Sequence, residues 1–307
     1  MTRTARRRTG GVAVLVLVVS GAGCRLIGET SVAAHPSRVG PPPGDLHARS
    51  VRVPSEAGPP LAGWYLPAAA GAPAVVLLHG VTDSRRTMIP RARLLRDAGF
   101  AVLAVDGRGH GESPRARVTY GARERLDAEA AVAYVRRRRP GTRVGVVGIS
   151  LGGAGAALAA ERLGADAVVL ESVFATLDEA TANRLRRWAG PLREPLRASL
   201  ARQAPRLLGA PADSVAPVRA VGRLGAPVLV AGGARDPFTP PAETRRLWAA
   251  ARAPRRLWIV PGARHEDLFA ADPDGYRAHV LAFLVETLRP AAAPAGAPAD
   301  QQPGTAR

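Results

Sequence analysis

From residue 74 onward the chain alternates short, almost uninterrupted apolar runs with longer stretches of helical periodicity. The runs fall at 74–78, 101–105, 143–147, 167–170, 227–230 and 256–260, separated by segments of ten or more residues. Such alternation is the pattern of βαβ winding, in which each strand returns parallel to the last through a crossover helix. The runs are rich in Val, Leu and Ile and lack a polar face, as strands covered by helices on both sides require. Upstream, 48–53 and 61–66 alternate apolar and polar positions around a Pro and Gly cluster, which predicts an antiparallel hairpin at one sheet edge. The expected fold class is α/β, a mostly parallel eight-stranded sheet with helices on both faces.

The rhythm breaks at about 174–224, where Arg-rich helical pieces are interrupted by Gly190, Pro191, Pro205, Gly209, Pro211 and Pro217. This predicts a small helical cap inserted between the sixth and seventh strands, over the carboxyl edge of the sheet. Pro36, Pro41, Pro42, Pro43 and Gly44 break any periodicity ahead of the domain, so 24–45 is expected to be a flexible linker, with the folded domain at 46–289. The Pro- and Ala-rich tail 290–307 is expected to be disordered.

Residues 1–23 read as an export signal, with Arg3, Arg6, Arg7 and Arg8 followed by the apolar stretch 12–19 and small residues. That stretch is shorter than the roughly 18 residues a membrane span needs. Cys24, the single cysteine, follows at once and resembles the lipid-modified cysteine of bacterial lipoproteins. A membrane-anchored lipoprotein is the expectation, with ordinary secretion and cleavage after Ala34 as the alternative. An intrachain disulfide is excluded. The formal charge of +18 comes entirely from arginine. Its runs at 136–139, 245–246 and 255–256 fall on different predicted elements rather than on one face, which argues against a nucleic-acid partner.

The pentapeptide Gly148, Ile149, Ser150, Leu151, Gly152 lies between an apolar run and an Ala-rich helical stretch. A sharp strand-to-helix turn there exposes the serine and needs small neighbours two positions away. A serine hydroxyl becomes nucleophilic when an imidazole takes its proton and a carboxylate orients that imidazole. Asp236 follows the strand-like run 227–230 and His265 follows 256–260, so both fall in loops at strand carboxyl ends, in the order serine, acid, histidine. Glu171, at the end of an earlier run, is the second choice of acid, and Glu266 and Asp267 are poorer because they share a loop with the histidine. Backbone amides of Leu151 and Val81 are the candidate donors to a developing oxyanion. His79 is read as a loop-ordering residue. His265, Glu266 and Asp267 lack further ligands at metal spacing, so neither a metal nor a cofactor is expected.

These motifs together resemble those of the α/β-hydrolases. The resemblance runs from about Leu46 to Leu288 and is carried by Leu78, His79 and Gly80, by Asp106 through Ser113, by the pentapeptide, and by Gly233 through Asp236 with His265. The segment around Gly121, Glu124 and Asp127 is similar to the serine aminopeptidase-like and acylglycerol-lipase-like subgroup. The resemblance implies a structural role for Asp106, Arg108 and Ser113. It also implies acyl transfer to water from a small-molecule or lipid ester, with peptidase action as the enzymic alternative and a silent binding scaffold as the non-enzymic one.

Overall fold

A computed structural model describes residues 21–265 and 267–289. Eight strands form one sheet: β1 (Arg49–Ser55), β2 (Gly58–Leu66), β3 (Ala74–Leu78), β4 (Ala101–Val105), β5 (Val144–Ile149), β6 (Ala167–Glu171), β7 (Val228–Gly233) and β8 (Arg255–Val260). Their order across the sheet is β8-β7-β6-β5-β3-β4-β2-β1. β1 pairs antiparallel with β2 and β2 with β4, and all the other pairs are parallel. The expected hairpin thus supplies one edge of a mostly parallel sheet. Burial follows position: β3, β4, β6 and β7 are buried throughout, whereas the outer strands β1 and β8 are only partly buried.

Two hydrophobic layers flank the sheet. One holds α3 (Glu124–Arg138) and α4 (Leu151–Leu158), with Ala131, Val132, Ala154 and Ala157 packed on Val76, Val146 and Val168. The other packs α2 (Ile89–Asp97) and the C-terminal helical segment, through Leu95, Phe283 and Leu284, on Val75, Val147 and Val169. The chain leaves β3 for β4 on one side and later places β5 on the other, so the winding direction reverses between β3 and β5. Ligand clefts form at the carboxyl ends of such strands, because the two connections diverge there.

Between β6 and β7 run α5 (Leu177–Leu185) and α6 (Arg193–Leu208), which form the cap. Thr176 opens α5 with a side-chain cap to the Glu179 amide, and Gly209 ends α6 at φ 71°. α7 (Pro241–Ala250) follows β7.

The expected flexible linker at 24–45 is corrected. Gly21–Ser31 forms helix α1, which packs on the cap. A Cβ on Gly28 would lie 2.6 Å from Gln203 Oε1 and 2.9 Å from Leu207 Cδ1, so a larger residue there would have to displace the ends of these two side chains. Gln203 Nε2 donates to the Cys24 carbonyl at 3.0 Å, and Glu29 pairs with Arg206 at 2.6 Å and Arg117 at 3.0 Å. Beyond α1, His35–Pro36 pairs in parallel with His110–Gly111, and the Glu112 carboxylate accepts from the Val39 and Gly40 amides. Val32 and Val39 are each 2% exposed. The prolines stop regular structure, but tertiary hydrogen bonds satisfy the backbone and fix the segment. Of the expected signal segment 1–23, residues 1–20 lie outside the described residues, as does the tail 290–307, while 21–23 begin α1. Among those residues no helix is long and apolar enough to cross a membrane.

Because Val32 is packed against the main core, Val32→Ala is expected to lower unfolding free energy in urea by about 1–3 kcal/mol, as for other methyl deletions in a close-packed core. A loss below about 0.5 kcal/mol, within the range of surface substitutions, would mean that this segment is not part of the cooperative unit.

Candidate active site

Ser150 occupies the turn between β5 and α4 at φ 47° and ψ −106°. A non-glycine residue at positive φ costs roughly 1–3 kcal/mol and persists only where its surroundings fix it. Here they do. The Ser150 amide donates to the Glu171 carbonyl at 2.8 Å and the Gly152 amide to the His79 carbonyl at 3.1 Å, tying the turn to the exits of β6 and β3. A Cβ on Gly148 would meet Gly153 Cα at 2.6 Å, and one on Gly152 would meet the Leu78 and His79 carbonyl oxygens at 2.6 and 2.7 Å. The glycines two positions either side of the serine are sterically required. Leu151 opens α4, where the amides at the helix start favour negative charge.

Ser150 and His265 line one cleft of about 300 Å³, with Gly80 and Val81 on the same wall. His265 Nδ1 is 2.7 Å from Asp236 Oδ2. Asp236 is 3% exposed, and its carboxylate also accepts from the Thr239 hydroxyl at 2.5 Å and from the Phe238 and Thr239 amides at 2.8 and 2.9 Å. Burial by itself would push that carboxyl up, but its bond to His265, the imidazole charge and the Thr239 donors outweigh burial and hold it below the usual carboxylate range. Phe238 packs its ring edge-on against His265 at 5.3 Å between centroids. The side chains of Asp236 and His265 come together, and His265 and Ser150 share the cleft.

Glu171 and Asp267 both pair with Arg91. Glu171, the second-choice acid, is fully buried and receives Arg91 Nη2 at 2.6 Å and the Tyr276 hydroxyl at 2.6 Å. Asp267 accepts from Arg91 at 2.7 Å and caps the short helix Leu268–Ala271. Glu266 lies outside the described residues.

His79 joins two loops: Nδ1 lies 2.7 Å from the Gly80 carbonyl and Nε2 accepts from the Gly107 amide at 3.0 Å. Burial lowers its pKa from the usual 6.5 to about 3, so it is neutral at ordinary pH. Asp106 accepts from the Arg85 amide at 2.7 Å and the Glu112 amide at 2.8 Å and pairs with the Arg85 guanidinium, while Ser113 Oγ donates to the Asp106 carbonyl at 2.7 Å. Arg108 is held by Asp127 at 2.6 Å, and Glu124 accepts from the Thr119 and Gly121 amides at 2.8 Å each. These residues build loops rather than the cleft wall.

Among the cleft residues that the sequence did not single out are Asp83, Arg91, Ser172, Arg184 and Phe238. Ser172 sits at φ 50°, and its buried hydroxyl has no partner among the described residues. Its position one residue past the apolar run and Glu171 was the available signal, whereas nothing distinguishes Arg91 or Arg184 among so many arginines. Among the described residues no three His, Cys, Asp or Glu side chains gather as metal ligands would.

Residues 70–217 match a family described as serine aminopeptidase, S33, and the fold matches solved hydrolases over most of their length. The chain belongs to the α/β-hydrolases. It is 31% identical over 284 residues to the uncharacterized protein Rv2307c of Mycobacterium tuberculosis, covering 90% of this chain and 94% of that one. Among solved structures, the Pyrococcus furiosus esterase Pf2001 superposes with a TM-score of 0.69 at 25% identity, over 83% of this hydrolase and 98% of the esterase. The acylaminoacyl peptidase of Pyrococcus horikoshii superposes at 0.61 and 17% identity, over 79% of this chain and 42% of that one, which shows a shared fold.

Because the folded state holds His79 neutral down to about pH 3 while the unfolded chain takes a proton below about 6.5, stability is expected to fall as pH drops through that window, with a slope approaching about 1.4 kcal/mol per pH unit. Urea unfolding of the wild type and His79→Gln at pH 7 and pH 5 checks this. A shallower dependence in the variant is expected, and identical slopes would contradict it.

Proposed function

We propose that this α/β-hydrolase is a serine hydrolase that cleaves carboxylic esters through an acyl-enzyme, with Ser150 as nucleophile, His265 as general base and acid, and Asp236 as the residue that orients the imidazole. The observation that carries the reading is the 2.7 Å contact between His265 and a buried, ionised Asp236 at the cleft that Ser150 lines. Asp236 fixes the proton on Nδ1 and leaves Nε2 to take the Ser150 proton. The serine oxygen attacks the ester carbonyl, and the tetrahedral oxyanion is met by the Leu151 and Val81 amides, each such donor being worth about 3 kcal/mol. Collapse expels the alcohol with the proton from His265. Water, deprotonated by the same imidazole, then attacks the acyl-enzyme, and the acid leaves as Ser150 regains its proton.

The preference for esters is supported by the likeness to Pf2001 and by an apolar cavity beside the cleft. A second reading, hydrolysis of amides at a free amino terminus, draws on Asp83 and Asp267, which both line the cleft. Burial and the charge of Asp267 raise the Asp83 carboxyl, so the two carboxylates lie close enough to repel, and an ammonium group would relieve that repulsion.

Turnover of p-nitrophenyl acetate and butyrate is expected, with Ser150→Ala and His265→Ala each lowering kcat at least about a thousandfold, as in other hydrolases that depend on this machinery. Faster release of amino acids from aminoacyl anilides than of acid from the short esters would favour the peptidase reading. Retained ester turnover in Ser150→Ala would refute the assignment of the nucleophile.

Export belongs to the same proposal. Cys24 lies in α1 beside Leu185, Ala189 and Leu196 of the cap region, and the part of α1 from Cys24 to Ser31 is expected to stay with the mature protein. Intact-mass analysis of the exported chain is expected to show an amino terminus at Cys24 carrying lipid, whereas an unmodified start after Ala34 would contradict tethering.

A further inference from the structure

A second cavity, of about 190 Å³, lies between the cap and α1. Its walls include Val32, Leu177, Leu185, Leu207 and Leu208, with Ile27 of α1 completing one side. It is separated from the cleft of Ser150 by Arg184, whose side chain borders both spaces. The Arg184 guanidinium stacks over Phe238 at 5.4 Å, and Phe238 packs on His265 at 5.3 Å. The cavity therefore begins one aromatic ring away from the catalytic imidazole.

We infer that this cavity takes the acyl chain of the substrate and that α1, a segment preceding the catalytic fold, is the wall that sets acceptable chain length. The inference rests on the ester-hydrolase reading. A dry apolar cavity of about 150 Å³ suffices for benzene, so this one accommodates roughly six to eight carbons. Its lining is mainly apolar, with Asp178, Thr181 and Arg197 also bordering it, so a chain finds mostly hydrocarbon there, whereas a polar arm would lose much of its hydrogen bonding with water. An acyl chain reaching from the cleft into this cavity would run along the Arg184 stem, whose charged end rests on the Phe238 face. α1 is held in place by named contacts: Glu29 pairs with Arg206 of the cap and with Arg117, the Tyr120 hydroxyl donates to the Ser31 carbonyl at 2.7 Å, and Gly28 admits Leu207 of α6. The substrate class is thus esters of medium-chain fatty acids, and the selecting residues lie on α1 and α6.

The test uses p-nitrophenyl esters from acetate to laurate, which vary the acyl chain under one leaving group. In the wild type kcat/KM is expected to rise with length by up to about fourfold per methylene, the value of full burial, and to level off near eight carbons. Ala204→Trp, which fills the cavity from α6, and Ile27→Trp, which fills it from α1, are each expected to lower kcat/KM for octanoate at least tenfold while acetate turnover changes less than twofold. An unchanged chain-length profile in both variants, with acetate turnover and circular dichroism intact, would overturn the inference. Calorimetric binding of octanoic acid to Ser150→Ala separates the pocket from the chemistry. Binding weakened at least tenfold by Ala204→Trp supports the cavity even if no ester is turned over, and undiminished binding opposes it.

Discussion

The close approach of three backbone segments around Ser150 is the constraint on which the site depends. The serine amide is bonded to the exit of β6 and the Gly152 amide to the exit of β3, and no Cβ fits at 148 or 152. Those contacts hold Ser150 at φ 47°, a conformation that serine does not adopt by itself. The reversal of winding between β3 and β5 makes room above this turn, and the helix starting at Leu151 adds the field of its amides. Cleft, serine and helix start are consequences of one packing arrangement in the sheet.

Around this turn the protein uses arginine as an internal fastener. Arg85 with Asp106 and Glu112, Arg108 with Asp127, and Arg91 with Glu171 and Asp267 each fix a loop at the carboxyl edge. The fork of the guanidinium serves several acceptors at once, which the single ammonium of lysine does less well. These pairs also sort the acids. Burial raises the Asp106 and Asp127 carboxyls despite their arginine partners, whereas His265 and Thr239 keep Asp236 below its usual value. Asp236 is the carboxylate matched to an imidazole, and Glu171 is matched to a guanidinium. A positive surface and a basic composition therefore conceal an interior in which many of the charges are consumed structurally.

Much of the sheet was legible because parallel strands buried on both faces leave a run of Val, Leu and Ile that no other element needs at that length. The serine turn was legible because its glycines are steric requirements, and His265 and Asp236 because loops at strand carboxyl ends converge on the switch point. The segment 24–45 was misread. Its order comes from contacts with residues some 70 to 180 positions away, such as Glu112 and Gln203, and local pattern carries no trace of them. The helix Gly21–Ser31 was hidden as well, because the small residues that let it approach the cap resemble the end of an export signal. The roles of Arg91 and Arg184 could not be read, since in a chain with arginine on every surface only the fold reveals which ones turn inward.

The strain at Ser150 singles it out as the residue we propose to be acylated. Treatment with a fluorophosphonate, followed by peptide mass spectrometry to map the adduct, reads this out. A single phosphonyl group on Ser150 is expected, absent from Ser150→Ala and strongly slowed in His265→Ala. An adduct on another residue such as Ser172, or no adduct in a folded protein, would contradict it.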